Sequence, residues 1–194
     1  MTGEHDLDRS RLRKGNPMTR KKIYAGIGAR ITPPDILDIM RLLADKLEDA
    51  GWLLRSGGAS GADSAFESGV KNSTNRSIYL PSASFNGRTT GNYCFDSTML
   101  PGWKHALMTV DEFHPNPSAL SDFTRKLMAR NAIQVFGPTM EHPADMIIAW
   151  TLNGEIIGGT GQALRMAEGC GIKVYNLGNP ETLENIFELL EIDL

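Results

Sequence analysis

The sequence contains few cysteines and no long apolar run, and each absence excludes a class of protein. Its two cysteines, Cys94 and Cys170, lie far apart and outside any CxxC or histidine-rich pattern, so we expect neither a disulfide framework nor a metal site. No apolar run approaches the roughly 20 residues that a membrane helix needs, and the N-terminus lacks the apolar stretch of a secretory signal. We therefore expect a cytoplasmic protein with no membrane partner.

Length and charge suggest one domain with a distinct N-terminal segment. The 194 residues leave little room for two complete cores. Residues 1–20 are polar and show no apolar period, which predicts a disordered basic leader before a domain over 21–194. Residues 1–22 contain seven Lys or Arg against three acids, whereas 23–194 contain 13 against 20. An acidic domain disfavours general nucleic-acid binding, because it repels a phosphate backbone unless its positive charges gather on one face.

Apolar segments alternate with helical patterns along most of the chain. Strands are predicted over 23–27, 52–54, 78–80, 146–150 and 172–177. This alternation predicts a Rossmann-like α/β domain whose mostly parallel sheet, of about five strands, is flanked by helices. Residues 82–117 break the alternation and predict an insertion or lid, of which the part near 105–112 could be helical.

Three glycine-containing turns each follow a predicted strand. Their candidate ligand-binding residues are Gly26, Gly28 and Arg30 in the first, Ser56, Gly57, Gly58, Ala59, Gly61 and Asp63 in the second, and Gly158, Gly159, Thr160, Gly161 and Gln162 in the third. Because the carboxyl ends of parallel strands share one edge, these loops should meet there and offer N–H groups and helix N-termini to an anion. The P-loop and complete GxGxxG patterns are absent, which argues against ATP hydrolysis and ordinary dinucleotide binding. We predict a nucleotide or nucleotide-derived small molecule as the partner, and no cofactor.

The second loop also carries a family resemblance. Its segment SGGASGAD, residues 56–63, followed by Ala65, Glu67 and Gly69, resembles the signature of the DprA/Smf proteins and the wider SLOG superfamily. These are Rossmann-like domains that include the LOG phosphoribohydrolases. Arg130-Asn131 and the run 158–163 are similar to further positions at which these families contact a nucleotide or nucleic-acid phosphate. The resemblance covers about residues 22–178, and it implies phosphate binding by these residues in a fold that often forms a homodimer.

The third loop departs from the LOG pattern. At this loop the pattern of the LOG-type hydrolases is PGGxGTxxE. This chain has Gln162 in place of the threonine and Arg165 in place of the glutamate. An N-glycosidic cleavage would therefore need another carboxylate, and Asp63 and Glu155 are the candidate catalytic residues, with Glu67 and Asp145 the other acids near the loops. Whether the chain is an enzyme stays open.

Three functions remain open at this point. The favoured one is a protein that senses or sequesters a nucleotide-derived phosphate ligand, since the loops are intact and the hydrolase acid is missing. The second is a LOG-like hydrolase of nucleoside 5′-monophosphates. The third, implied by the DprA resemblance, is single-stranded DNA binding in recombination, which the acidic core disfavours.

Several candidate residues also have structural interpretations. Ser60 and Asp63 fit a capping box at the start of the second helix, and Thr160 could N-cap the helix after the third loop. Arg55 and Arg165 could each add a positive charge at the phosphate.

Overall fold

A computed structural model describes residues 20–191 of the chain. The predicted leader therefore lies, except for Arg20, outside the described residues, and the domain boundaries stay a prediction. The elements in chain order are β1 (Ile23–Gly28), α1 (Pro34–Asp49), β2 (Leu53–Ser56), α2 (Ala62–Gly69), β3 (Arg76–Leu80), β4 (Ser84–Phe85), β5 (Arg88–Thr89), β6 (Cys94–Asp96), α3 (Trp103–Phe113), α4 (Asp122–Phe136), β7 (Met146–Trp150), α5 (Gly158–Gly169), β8 (Lys173–Asn176) and α6 (Pro180–Leu189).

Six strands form one sheet in the order β6-β3-β2-β1-β7-β8, and every neighbouring pair is parallel. This confirms the predicted Rossmann-like class. The chain builds outwards from β1 through β2 and β3 to β6, then adds β7 and β8 on the other side of β1. The direction of winding therefore reverses between β1 and β7, and open α/β sheets bind ligands at such a switch point.

The strands read as continuous apolar runs because helices cover both faces of the sheet. Neighbouring strand residues alternate between two cores: Tyr24 and Ile148 pack with α1, α2 and α6, whereas Ala25 and Ile147 pack with α3, α4 and α5. All five residues of β7 are buried. No helix among residues 20–191 is long and apolar enough to cross a membrane.

The insertion at 82–117 contains more regular structure than its sequence predicted. It holds the hairpin β4–β5, the edge strand β6 and helix α3. The expected number of about five strands was low because β6 has only three residues and, among the strands of residues 20–191, pairs with β3 alone. Asn86 and Gly87, at the hairpin turn, have φ values of 53° and 74°. Two positive φ values are typical of the type I′ turn that Asn-Gly favours, so the Asn86-Gly87 pair is a sequence signal for this hairpin.

Two predicted helix caps are wrong. Helix α5 begins before Thr160, with Ile157 at the N-cap position and no side-chain cap. Helix α2 has Gly61 at its N-cap position, also without a side-chain cap, so Ser60 and Asp63 form no capping box. Both helix N-termini therefore lack the side-chain hydrogen bond that a cap would give them.

Candidate functional site

An open cleft of about 400 Å³ lies at the carboxyl ends of β1 and β7, at the switch point of the sheet. The loop after β1, the first turn of α5 and one side of α4 form its walls. The predicted site residues that line it are Gly28, Arg30, Ala59, Asp63, Arg130, Asn131, Gly158, Gly159 and Thr160. The fold thus brings residues of all three glycine loops, and of the Arg-Asn pair, to one place.

The first turn of α5 is open towards this cleft. A Cβ added at Gly158 would meet no atom within 4 Å, and one at Gly159 would lie 3.4 Å from Met128 Cε. The first N–H groups of a helix have no intrahelical partner, and they carry the positive end of the helix dipole. Asn131 Nδ2 donates to the Gly159 carbonyl at 3.0 Å and fixes the turn against α4. This turn can therefore donate backbone hydrogen bonds to an anion.

Other predicted glycines allow close packing of the protein on itself. A Cβ added at Gly26, Gly61 or Gly161 would lie 2.6, 2.7 or 2.4 Å from atoms of neighbouring segments. At Gly28 it would lie 2.5 Å from the Cβ of Ala62 on α2. Of these four glycines only Gly28 lines the cleft. Their presence in the sequence is explained by the approach of strand, helix and loop, without a ligand.

The second glycine loop, residues 56–61, is held from one side by Arg130. Arg130 Nη1 donates to Asp63 Oδ2 at 3.1 Å, and the side chains of Arg130 and Asp63 are 6% and 3% exposed. Asp63 Oδ2 also accepts from the Ala59 N–H at 3.2 Å. A Cβ at Gly57 would lie 1.1 Å from Arg130 Nη1, so only glycine leaves room for the guanidinium. Arg130 is therefore part of the fold as well as of the cleft wall.

The hairpin β4–β5 holds the same loop from the other side. Glu67 Oε1 accepts from Ser56 Oγ at 2.8 Å and from the Gly58 N–H at 3.0 Å, and its Oε2 is ion-paired with Arg88 of β5. Asn86 Nδ2 donates to the Gly58 carbonyl at 3.2 Å. Polar groups of the loop thus find partners inside the protein, and the hairpin fixes the loop's position.

Both carboxyl groups of this cluster are desolvated. Burial raises the pKa of Asp63, and the charge of Arg130 opposes that rise. Burial likewise raises the pKa of Glu67, where Arg88 opposes the rise and the charge of Asp63 adds to it. Raised pKa values occur in catalytic acids and also in structural ion-pair networks. The contacts of both carboxylates here are those of a structural network.

Eight predicted site residues do not line the cleft: Gly26, Ser56, Gly57, Gly58, Gly61, Glu155, Gly161 and Gln162. Glu155, a candidate catalytic residue, is exposed on the connection before α5. Gln162 is completely buried in α5, and its amide atoms have no partner in the structure. Within residues 20–191, no three His, Cys, Asp or Glu side chains are grouped as metal ligands would be.

The two arginines considered as extra phosphate ligands instead bind backbone carbonyls. Arg55 Nη1 donates to His142 O at 2.7 Å, and burial lowers the pKa of Arg55. Arg165 donates to Phe113 O at 3.1 Å and to Ile156 O at 2.9 Å. Neither residue lines the cleft, so the interpretation of both as phosphate ligands finds no support in their positions.

Asp145 is also away from the loops. It precedes β7, so it lies at the amino edge of the sheet, opposite the cleft. There it accepts from Arg20 at 2.6 Å and from the Ile23 N–H at 2.8 Å. The expectation that Asp145 is close to the glycine loops is therefore wrong.

Sequence reasoning missed the apolar part of the site. Ile31, Leu152 and Ile157 are exposed at the mouth of the cleft and line it. Outside the cleft lining, the Phe85 ring centroid lies 5.9 Å from the Arg130 guanidinium carbon and 6.3 Å from the ring centroid of Phe123. These residues belong to different segments and follow no shared period, so no local signal links them.

Fold and cleft together define a Rossmann-like α/β protein with a candidate anion site at its switch point. The chain is similar to the solved structure of DNA processing protein A from Helicobacter pylori, which binds single-stranded DNA, with a TM-score of 0.52 and 20% identity. The alignment covers 80% of this chain and 65% of that one, so this chain spans about two thirds of the other's length. At this identity the likeness shows the fold alone. No family model matches the chain, and no curated protein does.

Proposed function

We propose that this chain binds single-stranded DNA by seating a backbone phosphate in the cleft at the switch point. The observation that carries the proposal is the convergence of the open first turn of α5 with Arg30 and Arg130 on one cleft. The structural likeness to DNA processing protein A, a single-stranded DNA binder, supports the choice of ligand. SLOG membership and the homodimer that the resemblance implies stay predictions.

The donors around the cleft suit a phosphate. The first turn of α5 supplies backbone N–H groups, and Arg30, which is exposed, supplies a guanidinium from the loop after β1. Arg130 uses Nη1 for Asp63, while its buried Nε has no partner in the structure. A buried donor without a partner costs stability, so this nitrogen keeps a hydrogen-bonding capacity that the described fold does not use. We assign phosphate contact to Gly28, Arg30, Arg130, Gly158, Gly159 and Thr160, with Asn131 positioning the α5 turn.

The acidic net charge limits the electrostatic contribution to this binding. Long-range attraction to a phosphate backbone is weak, so affinity must come from contacts at the cleft. Few phosphates are then neutralised, and the salt dependence should be shallow, with a slope of about −0.7 in log K against log salt for each phosphate.

A free nucleotide is the second candidate ligand, for a sensing or sequestering role. The cleft volume of about 400 Å³ falls within the range of small-ligand pockets, which favours this candidate. The hydrolase candidate has less support. Asp63 is engaged with Arg130, and Glu155 does not line the cleft.

The test compares ligands and one pair of charge variants. Fluorescence anisotropy of a labelled 12-nucleotide oligo-dT, at several salt concentrations, measures strand affinity, and calorimetry measures binding of thymidine and adenosine 5′-monophosphates. Arg30→Glu should weaken oligonucleotide binding at least about tenfold by placing a negative charge in the cleft. Arg41→Glu is the matched control because Arg41 is also exposed but lies on α1, outside the cleft.

The outcomes separate the candidate functions. Mononucleotide binding without oligonucleotide binding would favour the sensing role, and release of free base during incubation would favour the hydrolase. Binding of neither ligand, or equal effects of the two arginine variants, would contradict the proposed site.

A further inference from the structure

We propose that Phe85 and Phe123 form a base-stacking platform beside the phosphate cleft. The platform would take the base of the nucleotide next to the one whose phosphate sits at α5. This inference rests on the proposed function and specifies it, since it makes the ligand a strand of at least two nucleotides.

The first observation is an exposed aromatic pair. Phe123, in the first turn of α4, is 51% exposed, and Phe85, in β4, is half-buried. Their ring centroids are 6.3 Å apart and their planes are inclined at 45°. The pair therefore presents aromatic surface to solvent without being part of either hydrophobic core.

The second observation is the position of this pair next to the cleft. The Arg130 guanidinium carbon lies 5.9 Å from the centroid of the Phe85 ring. On α4, Phe123, Leu127 and Arg130 are spaced i, i+4 and i+7, so they share one face of the helix. Leu127 and Arg130 both line the cleft. That face thus leads from the cleft to Phe123, a distance of about 10 Å along the helix axis.

Contacts of the hairpin hold Phe85 in place beside the glycine loop. Phe85 and Arg88 flank the hairpin turn and pair across it. Arg88 is ion-paired with Glu67, and Asn86 bonds the Gly58 carbonyl, so the contacts that fix the glycine loop also fix the ring. A preorganised aromatic surface loses little conformational freedom when a base stacks on it.

The chemistry of stacking fits a single strand without sequence preference. Proteins that bind single strands combine positive groups along the backbone with aromatic rings on which successive bases stack. Here Arg130 and Arg30 lie at the cleft, and Lys126, which is exposed on α4, lies one turn from Phe123. A paired duplex cannot offer its base faces to such a platform, so the proposal also predicts selectivity for single strands.

The experiment measures how removal of the exposed ring changes strand binding. Phe123→Ala should weaken binding of the labelled 12-nucleotide oligo-dT by about 5- to 150-fold, the range found when one stacked base loses its aromatic partner. Phe123→Trp should retain the wild-type affinity. Met108→Ala is the matched control because Met108 is similarly exposed, at 58%, but lies on α3 away from the cleft.

Two further measurements distinguish stacking from a folding effect. The fluorescence of a 2-aminopurine placed within the oligonucleotide should be quenched by saturating wild-type protein, and this quenching should disappear in saturating Phe123→Ala. Binding of thymidine 5′-monophosphate should be the same in Phe123→Ala as in wild type.

Each outcome has a definite meaning. If wild-type protein and Phe123→Ala bind the oligonucleotide equally well, the platform is wrong and the proposed function still stands. Wild-type protein that binds no oligonucleotide would overturn both. A Phe123→Ala variant that lowers the melting temperature and leaves oligonucleotide affinity unchanged would make the pair a packing contact only.

Discussion

Arg130 on α4 and Asp63 on α2 form an ion pair of 3.1 Å in which both side chains are almost completely buried. This pair holds the second glycine loop from inside the protein, and the same two residues line the cleft. Changes to either residue therefore act on folding and on ligand binding together. For this reason the proposed site is better tested at Arg30, which is exposed, than at Arg130.

Loss of Arg130 should destabilise the fold strongly. Arg130→Ala leaves the Asp63 carboxylate buried without its partner, and breaking a buried pair in this way typically costs about 3–5 kcal/mol. Urea denaturation at neutral pH measures the change in the free energy of unfolding. The control is Arg125→Ala on the same helix, whose ion pair with Asp111 is partly exposed and should contribute about 1 kcal/mol or less. Equal losses in the two variants would show that burial adds nothing to the Arg130 pair.

Gly57 should tolerate no side chain. The added methyl group of Gly57→Ala would overlap Arg130 Nη1, at 1.1 Å, so the guanidinium or the loop must move and the Asp63 contact is lost. We expect a loss of about 3 kcal/mol or more, the cost of breaking the buried pair. Gly91→Ala serves as the control because a Cβ there meets nothing within 4 Å, and it should stay within about 0.5 kcal/mol of wild type. A stable Gly57→Ala protein would argue against this geometry.

Gly159→Ala should separate binding from stability. Its Cβ would lie 3.4 Å from Met128 Cε, an ordinary contact, and alanine in place of glycine favours a helix by up to about 1 kcal/mol. The melting temperature should therefore stay at or above the wild-type value, while oligonucleotide affinity falls about tenfold because the methyl group occupies the cleft.

Gly58→Ala, unlike Gly159→Ala, should lower the stability of the fold. Gly58 has a φ of +70°, and its Cβ would lie 2.8 Å from Leu80 Cδ2, so the fold itself should be weakened. Thermal melts combined with anisotropy titrations compare it with Gly159→Ala. If Gly159→Ala binds the strand as well as wild type does, the first turn of α5 is not the phosphate site.

The titration of Glu67 should make stability fall as pH rises. Burial raises its pKa in the folded protein, so between the unfolded and folded pKa values the folded state binds more protons than the unfolded chain. The contribution of Glu67 is then fully present below the unfolded pKa, near 4.3, and is lost as pH rises through the folded pKa. The unfolding free energy of wild type minus that of Glu67→Gln should therefore decrease across this window, by at most about 1.4 kcal/mol per pH unit.

Glu48→Gln provides a control of opposite sign. Slight burial raises the pKa of Glu48, but hydrogen bonds from Asn75, Asn72 and Lys71 outweigh that effect and lower it. The wild-type minus Glu48→Gln difference should therefore be present above the unfolded pKa and be lost as pH falls through the folded pKa. Denaturation curves between about pH 3 and pH 8 measure both differences. A Glu67 difference that rises with pH would mean that Arg88 outweighs burial.

The sequence alone was enough to predict the class of fold and the edge of the sheet at which residues of the glycine loops meet. Apolar runs such as Met146–Trp150, separated by helical periods, predicted a parallel sheet covered on both faces, and the structure confirms it. The glycine loops and Arg130-Asn131 were predicted to meet, and residues from each of them line one cleft. These predictions succeeded because periodicity and turn chemistry are local properties, and because parallel topology places every strand end on one edge.

Only the tertiary structure decided what each of those residues does there. Arg130 and Asp63 are 67 positions apart, so no local pattern could show that the arginine is buried against the aspartate. The tertiary structure also showed that Gly26 accommodates Phe66 whereas Gly159 leaves room at the cleft. It placed Phe85 of the hairpin beside Phe123 of α4. The physical reason is that a glycine, an arginine or a phenylalanine carries the same local signal in either role, and the role is set by the neighbour that the fold brings to it.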